Sequence, residues 1–305
     1  MQLFASPRRV RYLLFVKVII RPRAGLQRRY RMGAKIRIIF SVFALIMMVL
    51  FGYGAVVGNW SIVNWGMFAV ALVCCLLVFV RFVYIFNFSY ALCAIFNGVL
   101  IWALRPSVAS ALICSAAILY GLRLFTFSFM RTRGESYAGR MKNIIKADQE
   151  MPLPARIMLY IMVTWLMTFH LMAAWFVASS AVLVPGVMVG GMVMLASTLL
   201  EGIADWQKQQ SKNRAPAAYI ASGLFSRWRH PNYLGEIGLQ VGLIIAGLSV
   251  TDGVGDALIV VIAPLYIVIL MISEAQSADE AQLKRYGSDP AWREYRERSG
   301  SLFPR

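Results

Sequence analysis

Long runs of apolar residues constrain the fold of this chain more than any other feature of its sequence. A run of about 20 apolar residues is long enough to cross the hydrocarbon core of a bilayer as a helix. Hydrophobic residues make up 59% of the 305 residues and charged residues only 15%, and a soluble domain of this size cannot bury so much apolar surface. The sequence therefore predicts an all-α protein, a polytopic transmembrane helical bundle of seven or eight spans. The predicted spans lie near residues 38–58, 60–80, 83–104, 107–129, 157–179, 181–203, 234–250 and 257–273.

Basic residues are distributed unevenly along the chain. Residues 1–134 contain 16 Lys and Arg but no Asp or Glu, whereas the remainder contains 15 basic and 14 acidic residues. The isoelectric point near 10.2 suggests a nucleic-acid-binding protein, but the basic residues flank apolar spans and do not line a soluble domain, which excludes that class. With eight spans, the basic loops and both termini lie on one side of the membrane, which the positive-inside rule identifies as the cytoplasmic side.

Three segments of the chain differ in composition. Residues 1–35 are predicted to form a basic cytoplasmic tail that faces anionic lipids, unless translation starts at Met32 and the tail is a mis-assigned start. Residues 36–106 are predicted to hold the N-terminal transmembrane helices. Residues 107–305 carry nearly all of the polar motifs and end in a cytoplasmic C-terminal tail, so we expect the functional site there.

Cysteine and histidine are too few and too scattered to predict a metal site. The four cysteines lie in apolar runs without the spacing of zinc ligands, and they are predicted to be core residues. A di-iron site needs several clustered histidines, and the chain contains only His170 and His230. His170 lies alone in an apolar span, where we expect it to hydrogen-bond to a neighbouring helix. The cysteines are Cys74, Cys75, Cys93 and Cys114.

The end of the sixth predicted span holds more polar chemistry than a connection between two spans requires. Glu201 and Asp205 are one helical turn apart, so they share a face, and Lys208 and Lys212 continue that face. Carboxylates in this position are typical of a site or of a pair with a specific cation. Lys208 by itself also fits a snorkelling lysine.

The string RHPNYLGE, residues 229–236, precedes the next apolar run. Its proline sets a turn. Arg229 and His230 stand at the start of the following helix, where free backbone N–H groups and cationic side chains favour a phosphate or a carboxylate. Six of the eight residues are polar or have special backbone geometry, so we interpret the string as part of a binding site.

Two other segments contain residues that also suit a binding site. Tyr120 and Arg123 lie within or near a predicted span on neighbouring turns, and Arg131 and Arg133 flank its end. The last two arginines also fit ordinary positive-inside anchoring. The stretch WREYRERSGSLFP, residues 292–304, combines aromatic and basic side chains that either cover a cofactor or lie on the membrane surface.

The string GLFSRWRHPNYLGE resembles the signature of the steroid 5-alpha-reductase-like family of membrane proteins, including its bacterial members of unassigned substrate. The E-x-x-x-D-x-Q-K pattern that begins at Glu201 and the RxRG segment that begins at Arg131 also look like that family. So does the closing Y-x-x-R…P pattern of Tyr295, Arg298 and Pro304. The resemblance covers residues 107–305 and is more specific as a combination than in any single motif.

The resemblance implies a reductase of a bacterial inner membrane that binds NADPH from the cytoplasm and transfers a hydride to an activated C=C bond in a lipophilic, steroid-like substrate. Tyr120 matches, with one residue of slippage, the tyrosine that donates a hydrogen bond to the substrate carbonyl and stabilises the developing enolate-like charge. The 2′-phosphate favours additional basic contacts, so NADPH is preferred over NADH. Cofactor contacts are expected from Arg123, Arg131, Arg133, Asp205, Lys208, Lys212, Tyr219, Arg229, His230, Asn232, Tyr233, Glu236, Tyr295 and Arg298.

One feature of the chain departs from the family that it resembles. Steroid-reducing relatives pair the carbonyl-binding tyrosine with a glutamate on an earlier span, but this chain has no carboxylate before Glu135. Either Asn64, Asn87 or Asn97 substitutes for that glutamate, or the substrate is not a 3-keto steroid.

Two other classes of protein are alternatives to a reductase. Isoprenylcysteine and phospholipid methyltransferases share the pattern RHP-x-Y-x-G and bind S-adenosylmethionine, although the D-x-Q-K block and the GLF lead-in fit the reductases better. A transporter or scaffold would carry charges within its spans on an inverted repeat, whereas the polar residues here cluster on one membrane face. The sequence therefore predicts an NADPH-dependent membrane reductase, with a membrane methyltransferase as the alternative.

Overall fold

The computed structural model describes residues 42–56 and 60–303, and helices dominate this part of the chain. Trp228 and Gly300 form an isolated β-bridge, and no strand occurs among the described residues. The prediction of an all-α bundle is therefore confirmed. The basic tail of residues 1–35, and with it the alternative start at Met32, lies outside the described residues.

Short polar caps begin two helices of the N-terminal half. The backbone N–H of Ser61 donates to Asn64 Oδ1 at 3.0 Å, and Ser107 and Ser110 cap each other reciprocally through their hydroxyl groups. Such caps satisfy N–H groups that have no partner within the helix. The elements are α1 (Val42–Val56), α2 (Ile62–Cys75), α3 (Leu77–Val80), a π-helical segment (Ile85–Ser89), α4 (Tyr90–Leu104) and α5 (Val108–Arg133).

Proline begins three helices of the C-terminal half, where its missing N–H costs nothing and its fixed φ suits the first turn. One of these prolines belongs to the string RHPNYLGE, whose last six residues thus form the first turns of a helix. The elements are α6 (Glu135–Gln149), α7 (Leu153–His170), α8 (Met172–Ser180), α9 (Pro185–Arg214), a 3-10 turn (Gly223–Ser226), α10 (Pro231–Leu248), α11 (Val254–Tyr286) and α12 (Pro290–Arg298).

Six helical segments of the described chain are long and apolar enough to cross a membrane, fewer than the seven or eight predicted. The apolar helix α1 is described over Val42–Val56 only. α10 has 18 residues and carries Asn232, Glu236 and Gln240 on neighbouring turns, which lowers its mean hydropathy. The six segments are Ile62–Val80, Ile85–Leu104, Val108–Arg133, Leu153–Ser180, Pro185–Arg214 and Val254–Tyr286.

The core lies where α4, α5, α8 and α10 meet, and α10 packs between α9 and α11. Ile113, Phe169 and Leu243 are fully buried in this core. All four cysteines are buried and free, as the sequence predicted. Since α10 is surrounded by other helices, its polar side chains face protein and not lipid.

Glycines allow α9 and α10 to approach backbone to backbone. A Cβ added to Gly190 would lie 2.5 Å from the carbonyl oxygen of Gly242, and one added to Gly242 would lie 2.7 Å from that of Gly190. A Cβ on Gly235 would lie 2.6 Å from the Cβ of Glu201. Small residues at helix contacts allow this close approach in membranes, and here they set the distance between the polar ends of the two helices.

We expect Gly242→Ala to destabilise the protein by about 1–3 kcal/mol, because the new methyl group meets a backbone oxygen that cannot move aside cheaply. Thermal unfolding in detergent measures this effect. Gly255→Ala is the matched control, since its added Cβ meets nothing within 4 Å, and alanine is otherwise the better helix former. Equal unfolding temperatures for the two variants would contradict the close packing of α9 and α10.

Candidate functional site

A buried carboxylate on α10 accepts hydrogen bonds from two tyrosines. The hydroxyl of Tyr120, on α5, donates to Glu236 Oε2, and the hydroxyl of Tyr90, on α4, donates to Glu236 Oε1 at 2.7 Å. All three side chains are buried. Two phenol donors on one carboxylate satisfy a charge that the apolar bundle would otherwise expel.

Two further side chains complete this cluster, which we call the Glu236 network: Tyr90, Tyr120, His170, Glu236 and Gln240. Gln240 Nε2 donates to Glu236 Oε1 at 2.7 Å and to the Tyr90 hydroxyl at 2.8 Å. His170 Nε2 lies 3.2 Å from the same hydroxyl, which confirms the predicted hydrogen bond to a neighbouring helix. The network thus ties α4, α5, α7 and α10 together at one buried point.

Two members of the Glu236 network, Tyr90 and Gln240, were not among the site residues predicted from the sequence. A third, Glu236, was predicted to contact the cofactor. Gln240 lies one turn after Glu236 on an apolar helix, and this spacing is a signal that the sequence contained. Tyr90 directly follows the π-helical segment, which the sequence did not predict. The hydroxyl of Tyr120 has Glu236, on a later helix, as its hydrogen-bond partner.

Arg123 explains why two carboxylates lie at the end of a span. Its Nη2 lies 2.7 Å from Glu201 Oε2 and its Nη1 lies 3.0 Å from Asp205 Oδ2, so the two acids share a face as predicted. The guanidinium also lies over the ring of Tyr120, 5.1 Å from its centroid. This cation–π contact links the pair of acids to the Glu236 network.

A cavity of about 220 Å³ gathers many of the predicted cofactor residues on the polar half of α9, and we call it the basic cavity. The loop 215–222 closes one side of it: Lys212 Nζ donates to the carbonyl of Ala218 at 2.5 Å, and the Tyr286 hydroxyl donates to that of Ala217 at 2.8 Å. Its polar lining consists of Lys208, Lys212, Tyr219, Arg229, His230, Tyr233, Gln282, Arg285 and Tyr286.

We call the string GLFSRWRHPNYLGE, residues 223–236, the motif string. The C-terminal segment holds it through a cluster that we call the C-terminal clamp: Arg229, His230, Asp279 and residues 299–301. Arg229 contacts both oxygens of Asp279, at 2.8 and 3.0 Å, and donates to the carbonyl of Ser299. His230 Nε2 lies 2.9 Å from Asp279 Oδ1. Burial lowers the pKa of His230, and the hydrogen bond and charge of Asp279 oppose this effect.

Main-chain hydrogen bonds complete the C-terminal clamp. The N–H groups of Arg229 and His230 donate to the carbonyls of Gly300 and Ser301, at 2.9 and 3.1 Å. Asp279 was not predicted from the sequence, because it lies about 50 residues from its partners and no local pattern marks it.

The aromatic residues of the C-terminal stretch pack against the protein. Trp292 and Tyr295 are buried, and the Tyr295 hydroxyl donates to the carbonyl of Phe225 at 2.7 Å. Burial raises the pKa of Tyr295. Its ring stacks on Tyr219 with centroids 5.6 Å apart. The described part of this stretch therefore supports the motif string, whereas Pro304 lies outside the described residues.

A larger groove of about 1150 Å³ lies between α5 and α9, and we call it the α5–α9 groove. Arg123, Arg131 and Asp205 line it, together with large apolar side chains of both helices. The predicted cofactor residues are thus divided between two cavities that adjoin different faces of α9. The full lining is Leu119, Leu122, Arg123, Thr126, Phe127, Met130, Arg131, Gly134, Gly202, Asp205, Trp206, Gln209, Gln210, Asn213 and Pro216.

The remaining predicted residues have different environments. Asn232 is buried one turn before Glu236, and its Oδ1 has no hydrogen-bond partner among the described residues. Arg133 is exposed and stacks on Phe129, and Arg298 is exposed beside Glu294 at 3.9 Å. The structure brings neither of these two arginines into the cavities. Within residues 42–56 and 60–303, no group of three or more His, Cys, Asp or Glu residues is placed to hold a metal ion.

Comparison with known proteins gives a family for the chain. Residues 65–299, more than half of the sequence, match the family model described as "Protein of unknown function (DUF1295)". No curated protein and no solved structure matches the chain.

Proposed function

The chain belongs to the DUF1295 family of membrane proteins, and we propose that it is an integral-membrane, NADPH-dependent reductase of a C=C bond in a lipophilic substrate. The observation that carries this proposal is the Glu236 network, in which Tyr120 donates a hydrogen bond within an apolar, water-excluding bundle. The likeness of residues 223–236 to the steroid 5-alpha-reductase-like signature supports the same function.

The chemistry assigned to Tyr120 is stabilisation of an oxygen anion. In the reduction of an enone, a hydride adds to the β-carbon, negative charge moves to the carbonyl oxygen, and a proton then adds to the α-carbon. A phenol that donates to this oxygen stabilises the charge most strongly where water is absent. Glu236 Oε2 now accepts the hydrogen bond of Tyr120, so the substrate oxygen would take the place of a carboxylate oxygen.

The residues around α10 fit a dinucleotide with an amide-bearing ring and several phosphates. NADPH supplies the hydride when it is bound. Lys208, Lys212 and Arg285 of the basic cavity suit its phosphates, and the unpaired Asn232 Oδ1 suits its carboxamide. The basic cavity of about 220 Å³ is smaller than the pockets of about 300–1,000 Å³ that hold such ligands. The proposal therefore includes an outward movement of the loop 215–222.

The proposed location follows from the distribution of charge. The ends of α5 and α9 carry Arg131, Arg133, Lys212 and Arg214, and the positive-inside rule assigns basic ends to the cytoplasm. We therefore propose a multi-pass protein of a bacterial inner membrane, with the basic cavity open to cytoplasmic NADPH.

Calorimetric titration of the detergent-purified chain with NADPH tests the proposed cofactor. We expect binding that weakens by about tenfold or more in Lys212→Gln and in Asn232→Ala, because each variant removes a hydrogen bond to a charged or buried polar group. Lys142→Gln, at an exposed lysine on α6, is the control and should bind as the wild type does.

A parallel titration with S-adenosylmethionine distinguishes the proposed reductase from other classes. Binding of S-adenosylmethionine alone would replace the reductase by a membrane methyltransferase, which shares RHP-x-Y-x-G with this chain. Binding of neither compound by folded protein would contradict both enzymatic functions.

A further inference from the structure

The α5–α9 groove does not contain the residues that the proposed function assigns to NADPH, which are Lys208, Lys212, Asn232 and Arg285. Its lining is mostly apolar, with polar groups concentrated at one end. Its charged lining consists of Arg123, which is paired with Asp205, and of Arg131, which lies at the end that also carries three amides. We propose that this groove binds one membrane lipid with an anionic head group, taken from the surrounding leaflet. The inference does not depend on the reductase proposal.

The apolar walls belong to two candidate spans and are exposed in the isolated protein. Leu119 is 51% exposed, Met130 59% and Trp206 62%, and they lie within Val108–Arg133 and Pro185–Arg214. Contiguous apolar side chains exposed at the depth of a bilayer are covered by acyl chains, because water is absent there. The groove is therefore continuous with the hydrocarbon of the membrane.

The length of the groove matches one leaflet. Its α5 wall runs from Leu119 to Gly134, and at about 1.5 Å per residue this is about 22 Å. Half of a bilayer core measures about 15 Å, so the wall spans one leaflet and reaches the head-group region. Its volume of about 1150 Å³ also exceeds the range of about 300–1,000 Å³ typical of small-ligand pockets.

Arg131 provides the cation at the head-group end. Its guanidinium lies 5.2 Å from the ring centroids of both Phe127 and Tyr137, so aromatic faces on its own helix and on α6 hold it in place. Its Nε is buried without a hydrogen-bond partner among the described residues. Arg123 contacts two carboxylates directly, and one of them, that of Asp205, also interacts electrostatically with Arg131. A lipid phosphate would supply the oxygen that Arg131 Nε lacks.

Amide side chains extend this polar end. Gln209, Gln210 and Asn213 lie on the last turns of α9 and line the groove, and Gln209 Nε2 donates to Asn213 Oδ1 at 2.7 Å. Amide N–H groups of this end can donate to a phosphate oxygen, and amide oxygens can accept from a glycerol hydroxyl. A dinucleotide suits this site less well, because the apolar opening along Leu119, Leu122 and Trp206 would expose its phosphates to hydrocarbon.

Native mass spectrometry of the full chain, released from nanodiscs of equal phosphatidylglycerol and phosphatidylcholine, tests the inference. We expect one phosphatidylglycerol to be retained in about tenfold preference to phosphatidylcholine. Both lipids carry a phosphate, but the choline ammonium of phosphatidylcholine offsets its charge and repels Arg131. Arg131→Gln should bring the two lipids to near parity. Arg133→Gln, two residues away and outside the groove, should keep the preference.

A second variant blocks the apolar part of the groove. Gly202 lines the floor, and a Cβ there would lie 3.7 Å from Arg123 Cδ, an ordinary contact. Gly202→Leu is therefore expected to fold and to lose the retained lipid of either kind. Equal retention of both lipids by the wild type would overturn the proposal, as would an unchanged preference in Arg131→Gln. Release of the lipid by added NADPH would assign the groove to the cofactor instead.

Discussion

Replacement of Tyr120 by phenylalanine is expected to lower kcat for reduction of a lipophilic enone by about 10²–10³-fold, which is the cost of removing one donor to a developing oxyanion. The ring of phenylalanine fills the same volume and keeps the contact with the Arg123 guanidinium, so the fold should be preserved. NADPH oxidation at saturating enone measures the rate, and the NADPH dissociation constant should not change.

Tyr160→Phe provides the matched control for this prediction. The Tyr160 hydroxyl donates to the carbonyl of Leu72 at 3.0 Å, so the variant also removes one phenol hydrogen bond, but outside the Glu236 network. Its kcat should equal that of the wild type. Full activity in both Tyr120→Phe and Tyr160→Phe would show that Tyr120 is not the donor to the substrate.

Arg229→Leu is expected to destabilise the protein by about 3–5 kcal/mol, because removing one partner of a buried ion pair leaves the other uncompensated. The variant removes the hydrogen bonds that Arg229 donates to both oxygens of Asp279 and to the carbonyl of Ser299 in the C-terminal clamp. Thermal unfolding in detergent measures the loss. Protease cleavage after Tyr286 should also accelerate, since α12 would be released from the motif string.

Arg298→Ala separates this effect from a general loss of positive charge. Its pair with Glu294 has an N–O distance of 3.9 Å, with side chains 61% and 78% exposed. An exposed pair of this kind contributes little, so the variant should unfold within about 0.5 kcal/mol of the wild type. A similar destabilisation in both arginine variants would mean that the clamp does not hold the C-terminal segment.

Apolar content predicted where the helices lie better than where they end. The predicted span 107–129 corresponds to α5, Val108–Arg133, and the predicted span 181–203 corresponds to α9, Pro185–Arg214. Both helices continue beyond the apolar run, because backbone hydrogen bonding does not stop where the side chains become polar. The extension of α9 matters, since it carries Asp205, Lys208 and Lys212 on one rigid element.

The local part of the candidate site was predictable, and the contacts between distant elements were not. Helical spacing alone placed Glu201 and Asp205 on one face, but their cation, Arg123, lies about 80 residues away. Tyr90 joins the Glu236 network from another helix, and Asp279 joins the C-terminal clamp from α11. Such pairings depend on which helices pack together, and no local pattern in a single sequence predicts this packing.

Transfer of deuterium from labelled NADPH to a substrate tests the central claim most directly. The purified chain is incubated with NADPH deuterated at its transferable position and with a panel of lipophilic enones, including a 3-keto-4-ene steroid and a long-chain acyclic enone. The proposed reductase predicts a saturated product with one deuterium on the β-carbon, formed by the wild type and lost in Tyr120→Phe. Transfer of no deuterium to any of these enones by the folded wild-type chain would contradict it.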